Sequence, residues 1–304
     1  MRGEKEQECL DLVRKSIFTN DGQPIYHPFT GKTYLEVSNA EFIKEQICFI
    51  NSKCYKNYFG LLEEDRKEIE QILRNVQPNQ NLNDFPDFIF ERGFIEHFRV
   101  SSSKTTRKGA EHTKVMRCFT DKVNREAEDI KKEWNEVLSF DEVRSKHWTI
   151  QNPEHNYGYL VKSFERNWKN HLESLRKYTG NAEVGIFMIE YSEFALSMCE
   201  NLYNGWIDGM SQGDMRKQEQ FRCYRLSRDK QLLDFMYRNK NYIKYVIFVY
   251  GDGFEIIRLE NIPYLIKLLP WDYITYPLAV NTMSSLCNVS IHENIEKKEK
   301  IKNE

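Results

Sequence analysis

The stretch Phe85–Val100, FPDFIFERGFIEHFRV, sets two short apolar runs around Arg92-Gly93 and carries an acid on each. Phe88, Ile89 and Phe90 precede the glycine; Phe94, Ile95, Phe98 and Val100 follow it. Aromatic and β-branched residues on both sides of a turn signal predict a β-hairpin. The acids are Asp87 and Glu96. Side chains alternate faces along a strand, so the register decides whether the two can cooperate. A two-residue turn at Arg92-Gly93 sets Asp87 opposite Phe98 and Glu96 opposite Ile89. The acids are then diagonal neighbours on one face, roughly 7–8 Å apart at the backbone. A three-residue loop would set Asp87 opposite His97 and turn Glu96 away. The sequence leaves both registers open.

The surrounding periodicities extend the pattern. Glu41–Ile50 spaces Phe42, Ile43, Ile47 and Ile50 as a helix does, and Leu61–Val76 continues with Ile69, Ile72, Leu73 and Val76. Tyr159–Tyr178 places Leu160, Phe164, Trp168, Leu172 and Leu175 on one stripe, with charged residues opposite. Two continuous apolar runs, Val184–Ile189 and Tyr245–Tyr250, read as strands buried on both faces. Tyr250-Gly251-Asp252-Gly253 predicts a tight turn into a strand over Glu255–Leu259. The order α-β-β-α-β-α-β predicts an α/β fold with a mixed central sheet flanked by helices. Residues 1–36 read as an appended helix and hairpin that covers a sheet edge, and residues 37–285 as the α/β domain. A charged helical insertion falls at about 110–150, and 286–304 read as a disordered polar tail.

Pro86-Asp87 on one strand and Glu96 on the next resemble the PD-(D/E)XK signature of restriction-endonuclease-like nucleases. The resemblance implies a restriction-endonuclease-like core (α-β-β-α-β) and Mg²⁺- or Mn²⁺-dependent phosphodiester hydrolysis, of the bacterial host-defence or mobile-element kind. It implies Asp87 and Glu96 as metal ligands, with Glu45 on the preceding helix adding a third carboxylate. Carboxylate oxygens suit a hard cation that keeps several waters. The chain departs from the signature at Phe98, where a lysine is expected. Lys104, Lys108, Lys162 and Lys169 can supply that charge from elsewhere, with Lys169 and Lys104 ranked first to orient the water or the scissile phosphate. Phe98 also favours an alternative: a catalytically silent member that binds nucleic acid or protein. The plain reading of the acids is that Asp87 ends a strand and Glu96 faces solvent.

Composition narrows the classes. The 304 residues are 40% hydrophobic and 13% aromatic, enough for a large core, and the net charge of −2 gives no global basic field. Locally, Arg99, Lys104, Arg107, Lys108, Lys114 and Arg117 face only Glu111 over residues 99–117. A basic, hydroxyl-rich segment after the Glu96 strand suits phosphate oxygens, so Lys104, Arg107, Lys108, Lys114 and Arg117 are candidate contacts to nucleic acid, DNA ahead of RNA. A second cluster, Arg216, Lys217, Arg222, Arg225, Arg228 and Lys230, reads mostly as a wet helix face. The seven cysteines show no paired metal-ligand spacing, which argues against a zinc site. The odd cysteine count and the charged start suggest a cytoplasmic protein. No apolar run approaches the ~20 residues that cross a bilayer. Gly31-Lys32-Thr33 lacks a phosphate loop's first glycine and following helix, and the histidines form no HExxH pair. His97 reads as a strand-face residue and His171 as a core-edge residue.

Overall fold

A computed structural model describes residues 3–18, 56–59, 61, 63–80, 85–106, 109–137, 143–193, 195–201, 220–221, 223–251, 253–268, 272–277 and 282–290. Glu45, Arg107, Lys108, Arg216, Lys217 and Arg222, and the helix expected over 41–50, lie outside the described residues. The chain divides into two compact units, one of residues 1–102 and 155–278 and the other of 103–154 and 279–304.

The first unit is an α/β layer structure on a seven-stranded mixed sheet. In chain order its elements begin with α1 (Glu4–Phe18), β1 (Lys56–Phe59), α2 (Glu63–Asn75), β2 (Gln77–Pro78), β3 (Phe88–Phe90) and β4 (Gly93–Arg99). The second unit contributes β5 (Thr105–Thr106), β6 (Gly109–Ala110), α3 (Glu111–Val137) and β7 (Val143–Gln151). The chain then returns through α4 (Tyr157–Lys177), β8 (Val184–Glu190), β9 (Leu196–Glu200), β10 (Gln220–Phe221), α5 (Lys230–Arg238), β11 (Ile243–Tyr250), β12 (Gly253–Arg258), α6 (Ile262–Leu268) and β13 (Tyr273–Pro277). It ends in β14 (Thr282–Ser290), in the second unit. The sheet order is β1-β12-β11-β8-β4-β3-β2. The centre, β4, β8 and β11, is parallel, whereas β3 and β12 run antiparallel to their inner neighbours. Helices α4 and α5 supply the crossovers that parallel strands require.

The apolar alternation divides the core between the sheet's two faces. Phe94, Phe98, Phe187, Ile189, Val246 and Phe248 pack against Leu160, Phe164, Trp168 and Leu172 of α4 and against Leu232, Leu233 and Met236 of α5. Ile95, Ile186, Met188, Tyr245, Ile247 and Ile256 pack on the other face, against Leu10 and Val13 of α1 and Ile69, Ile72 and Leu73 of α2. Each fully buried large side chain contributes about 1.5–3 kcal/mol of burial free energy. The stripe expected on α4 is the buried stripe observed, and Asn156 caps that helix by accepting from Tyr159 N at 2.9 Å. Helix α1, the described part of the 1–36 extension expected at a sheet edge, lies on a face, and residues 19–36 lie outside the described residues. Arg14 ties the helix down by donating to the carbonyls of Leu73 and Val76, both at 2.7 Å, at the C-terminal end of α2.

The hairpin register differs from both expectations. Phe90 pairs with Gly93, Ile89 with Phe94 and Phe88 with Ile95, so the turn is Glu91-Arg92 and Gly93 belongs to β4. A Cβ on Gly93 would run into the Val184 carbonyl oxygen of neighbouring β8, which is why a glycine stands inside the strand.

In the second unit, α3 packs Phe119 and Ile130 on Trp148 of β7, and Trp148 Nε1 donates to Glu126 at 2.6 Å. The expected helical insertion is therefore helix followed by strand. β14 pairs with β7 along its whole length, from Thr282 with Gln151 to Ser290 with Val143. Residues 286–290, expected as tail, are strand.

The second basic cluster is also corrected. Lys230 opens α5, but Arg228 lies in a 3₁₀ turn and is 1% exposed, its guanidinium 5.7 Å from the Tyr273 ring. Arg225 sits 4.4 Å from the Tyr250 ring. Arg228 is thus buried and Arg225 half-buried, each facing an aromatic ring instead of lying on a wet helix surface.

Candidate functional site

The observed register places Asp87 one step beyond the β3 ladder, directly across from Glu96. Two hydrogen bonds lock the pair: Asp87 N donates to Glu96 Oε2 at 3.1 Å, and His97 N donates to Asp87 Oδ2 at 2.8 Å. Asn79 braces the approach from behind, donating its backbone N–H to Asp87 O and its side-chain amide to Pro86 O, both at 2.8 Å. The two carboxyls are thus closer neighbours than the diagonal pair the sequence suggested. Glu96 is buried, so the expectation of a solvent-facing acid fails.

Burial raises the Asp87 carboxyl first and the Glu96 charge raises it further, to about 6, although the His97 N–H and ring act in the opposite sense. A like-charged pair in a partly buried site is the electrostatic signature of a position that gains from a cation. The donor set, carboxylate oxygens on rigid strands, fits a hard divalent ion.

The lysine expected at this point is not what the fold supplies. His171 of α4 reaches Glu96 instead, its Nδ1 2.6 Å from Oε1. Phe98, in the place of the signature lysine, stacks on the His171 ring with centroids 4.6 Å apart and planes 14° from parallel. Lys169 points along the helix to Glu165, at 3.7 Å, and over the Phe235 ring, at 5.6 Å. In the second unit, Lys104 is exposed, Lys114 donates to Thr106 Oγ1 at 2.6 Å, and Arg117 lies 3.9 Å from Asp121.

His97 projects to the opposite face of β4 from Glu96, as adjacent strand residues must. Its Nε2 lies 3.2 Å from Glu190 Oε2 at the end of β8, and Arg99 Nε lies 2.6 Å from the same oxygen. Burial alone would raise the Glu190 carboxyl, but His97 and the Arg99 guanidinium outweigh it and hold it at about 2. Cys9 of α1 completes this cluster; its thiol is pushed up to about 12 by burial and by Glu190. The Cys9–His97–Glu190 cluster therefore lies toward the carboxyl ends of parallel β4 and β8, where open α/β sheets place their ligands.

His171 was visible in the sequence on the flank of the α4 stripe. Glu190, at the polar end of an apolar run, was legible as a strand end. Nothing in their spacing tied either to the hairpin. No protein-family model, no curated protein and no solved structure matches this chain.

Proposed function

We propose that the protein is a divalent-metal-dependent nuclease with a divergent restriction-endonuclease-like core, cleaving phosphodiester bonds of nucleic acid, DNA ahead of RNA, in the cytoplasm. The observation that carries the proposal is the direct pairing of Asp87 with Glu96 on adjacent antiparallel strands, with Asp87 raised to about 6.

Asp87 Oδ1 and the Glu96 carboxylate would hold Mg²⁺ or Mn²⁺, with Glu45 as the third carboxylate of the proposal. Bound there, the ion would acidify a water and stabilise charge on the phosphoryl oxygens. The His97 N–H keeps Asp87 aimed, and His171 fixes the Glu96 rotamer while offering an imidazole that can take a proton. Lys169, on the helix that carries His171, is the proposed carrier of positive charge toward the scissile phosphate. Lys104, Arg107, Lys108, Lys114 and Arg117 form the proposed backbone grip.

One observation favours a second reading, a catalytically silent binding module. Both Glu96 oxygens already have protein partners, and Phe98 fills the lysine position. Cleavage of plasmid DNA, single-stranded DNA and RNA with Mg²⁺ or Mn²⁺ separates the readings. The nuclease reading expects cleavage that Glu96→Gln abolishes while circular dichroism stays unchanged. Absence of cleavage on every substrate, with nucleic-acid binding that survives EDTA, would support the silent module.

A further inference from the structure

Cys9, His97 and Glu190 come from three separate elements, α1, β4 and β8, yet their ligand atoms all lie within 4.8 Å of one another. We propose that they form a second metal site, for a divalent transition ion of the Zn²⁺ class, on the face of β4 opposite the Asp87–Glu96 pair. The inference does not depend on the nuclease reading.

The chemistry of the set separates it from a magnesium site. Thiolate, imidazole and carboxylate together are the donors of zinc-type centres, and three protein ligands leave one position open for water. One edge of such a site is already formed. In a tetrahedral site neighbouring ligand atoms stand about 3.3–3.8 Å apart. His97 Nε2 and Glu190 Oε2 are already at 3.2 Å. The His97 side chain is 4% exposed, and its Nε2 stands 3.2 Å from Glu190 Oε2, off the line that a well-formed hydrogen bond needs. A buried ring nitrogen in that condition carries an unmet desolvation cost that coordination would remove.

The supporting shell is also in place. Arg99 Nε donates to Glu190 Oε2, which orients that carboxylate as outer-shell donors do in metal sites. The backbone of His97 is fixed by its bond to Asp87 Oδ2. Cys9 is held against the sheet by Leu10 and Val13 beside it and by the Arg14 bonds to the end of α2. Occupation of the site would pin α1 to the carboxyl ends of β4 and β8.

The test is titration of the purified full chain with Co²⁺, whose thiolate complex has an intense near-ultraviolet charge-transfer band. One equivalent of Co²⁺ should produce the band, and one equivalent of Zn²⁺ should erase it, whereas excess Mg²⁺ should leave it. Cys9→Ser and His97→Gln should lose it, and Cys118→Ser and Asp87→Asn should keep it. Absence of the band in the wild type, or its survival in folded Cys9→Ser, would overturn the proposal. Should Cys9→Ser fail to fold, alkylation of the wild type at a urea concentration just high enough for Cys9 to label in EDTA, followed by peptide mapping, decides. One equivalent of Zn²⁺ should suppress labelling of Cys9 and leave exposed Cys118 unchanged; equal labelling of Cys9 with and without Zn²⁺ would overturn the assignment.

Discussion

Asp87→Asn should make the metal-free protein more stable at neutral pH. The Asp87 carboxyl is raised from 3.8 to about 6, chiefly by burial and next by Glu96. A folded value above the unfolded one means that the contribution to stability is fully present below pH 3.8 and is lost as pH rises through 6. The gap corresponds to about 3 kcal/mol, which partial access to water reduces to about 2 kcal/mol. Asparagine removes the charge and retains an oxygen to accept from His97 N, while the Asp87 N bond to Glu96 belongs to the backbone and survives. In EDTA at pH 8, urea unfolding should therefore show the variant about 2 kcal/mol more stable than wild type. The advantage should fade between pH 6 and pH 4. Added Mg²⁺ should stabilise wild type and leave the variant unmoved. A variant that is less stable at pH 8, or an advantage that does not vary with pH, would refute the electrostatic account of the pair.

Two further substitutions probe the frame that carries the site. Gly93→Ala forces a Cβ into the Val184 carbonyl, which must push β4 from β8, and should cost about 3 kcal/mol in chemical denaturation with some loss of soluble protein. Glu255 is fully buried and accepts from Ser227 N at 3.0 Å and Ser227 Oγ at 2.9 Å, with Arg225 at 3.7 Å. Glu255→Ala removes the buried acceptor of Ser227 N and Oγ and the carboxylate beside Arg225, and should cost about 3–5 kcal/mol in the same assay, while Glu255→Gln, which retains an acceptor for Ser227, should cost less.

Much of the frame was legible because it is periodic. The stripe Leu160, Phe164, Trp168, Leu172 and Leu175 and the runs over 184–189 and 245–250 state their burial in their spacing, and the structure places them in the core. The hairpin existed as read, but its register did not. Gly93 looked like a turn residue, whereas it is demanded by close approach of the Val184 backbone, a contact across 91 positions of sequence. The true turn residues, Glu91 and Arg92, have no positive φ and so carry none of the glycine or asparagine signal that marks tight hairpins. The two-residue difference preserved parity, so Asp87 and Glu96 still share a face. The start of the tail at residue 286 was misplaced for another reason: the strand over 282–290 gains its order from β7, and its own composition holds no trace of that partner, while residues 291–304 lie outside the described residues. Cys9, His97 and Glu190 follow no spacing rule because each arrives from a different element of the completed fold.

The most direct test of the central claim, that Asp87 and Glu96 together hold a divalent cation, is a Mn²⁺ titration followed by electron paramagnetic resonance, with the metal-free chain and its Asp87→Asn and Cys9→Ser variants. One Mn²⁺ bound by wild type and by Cys9→Ser, and lost from Asp87→Asn, is the predicted result. Equal Mn²⁺ binding by wild type and Asp87→Asn would contradict it.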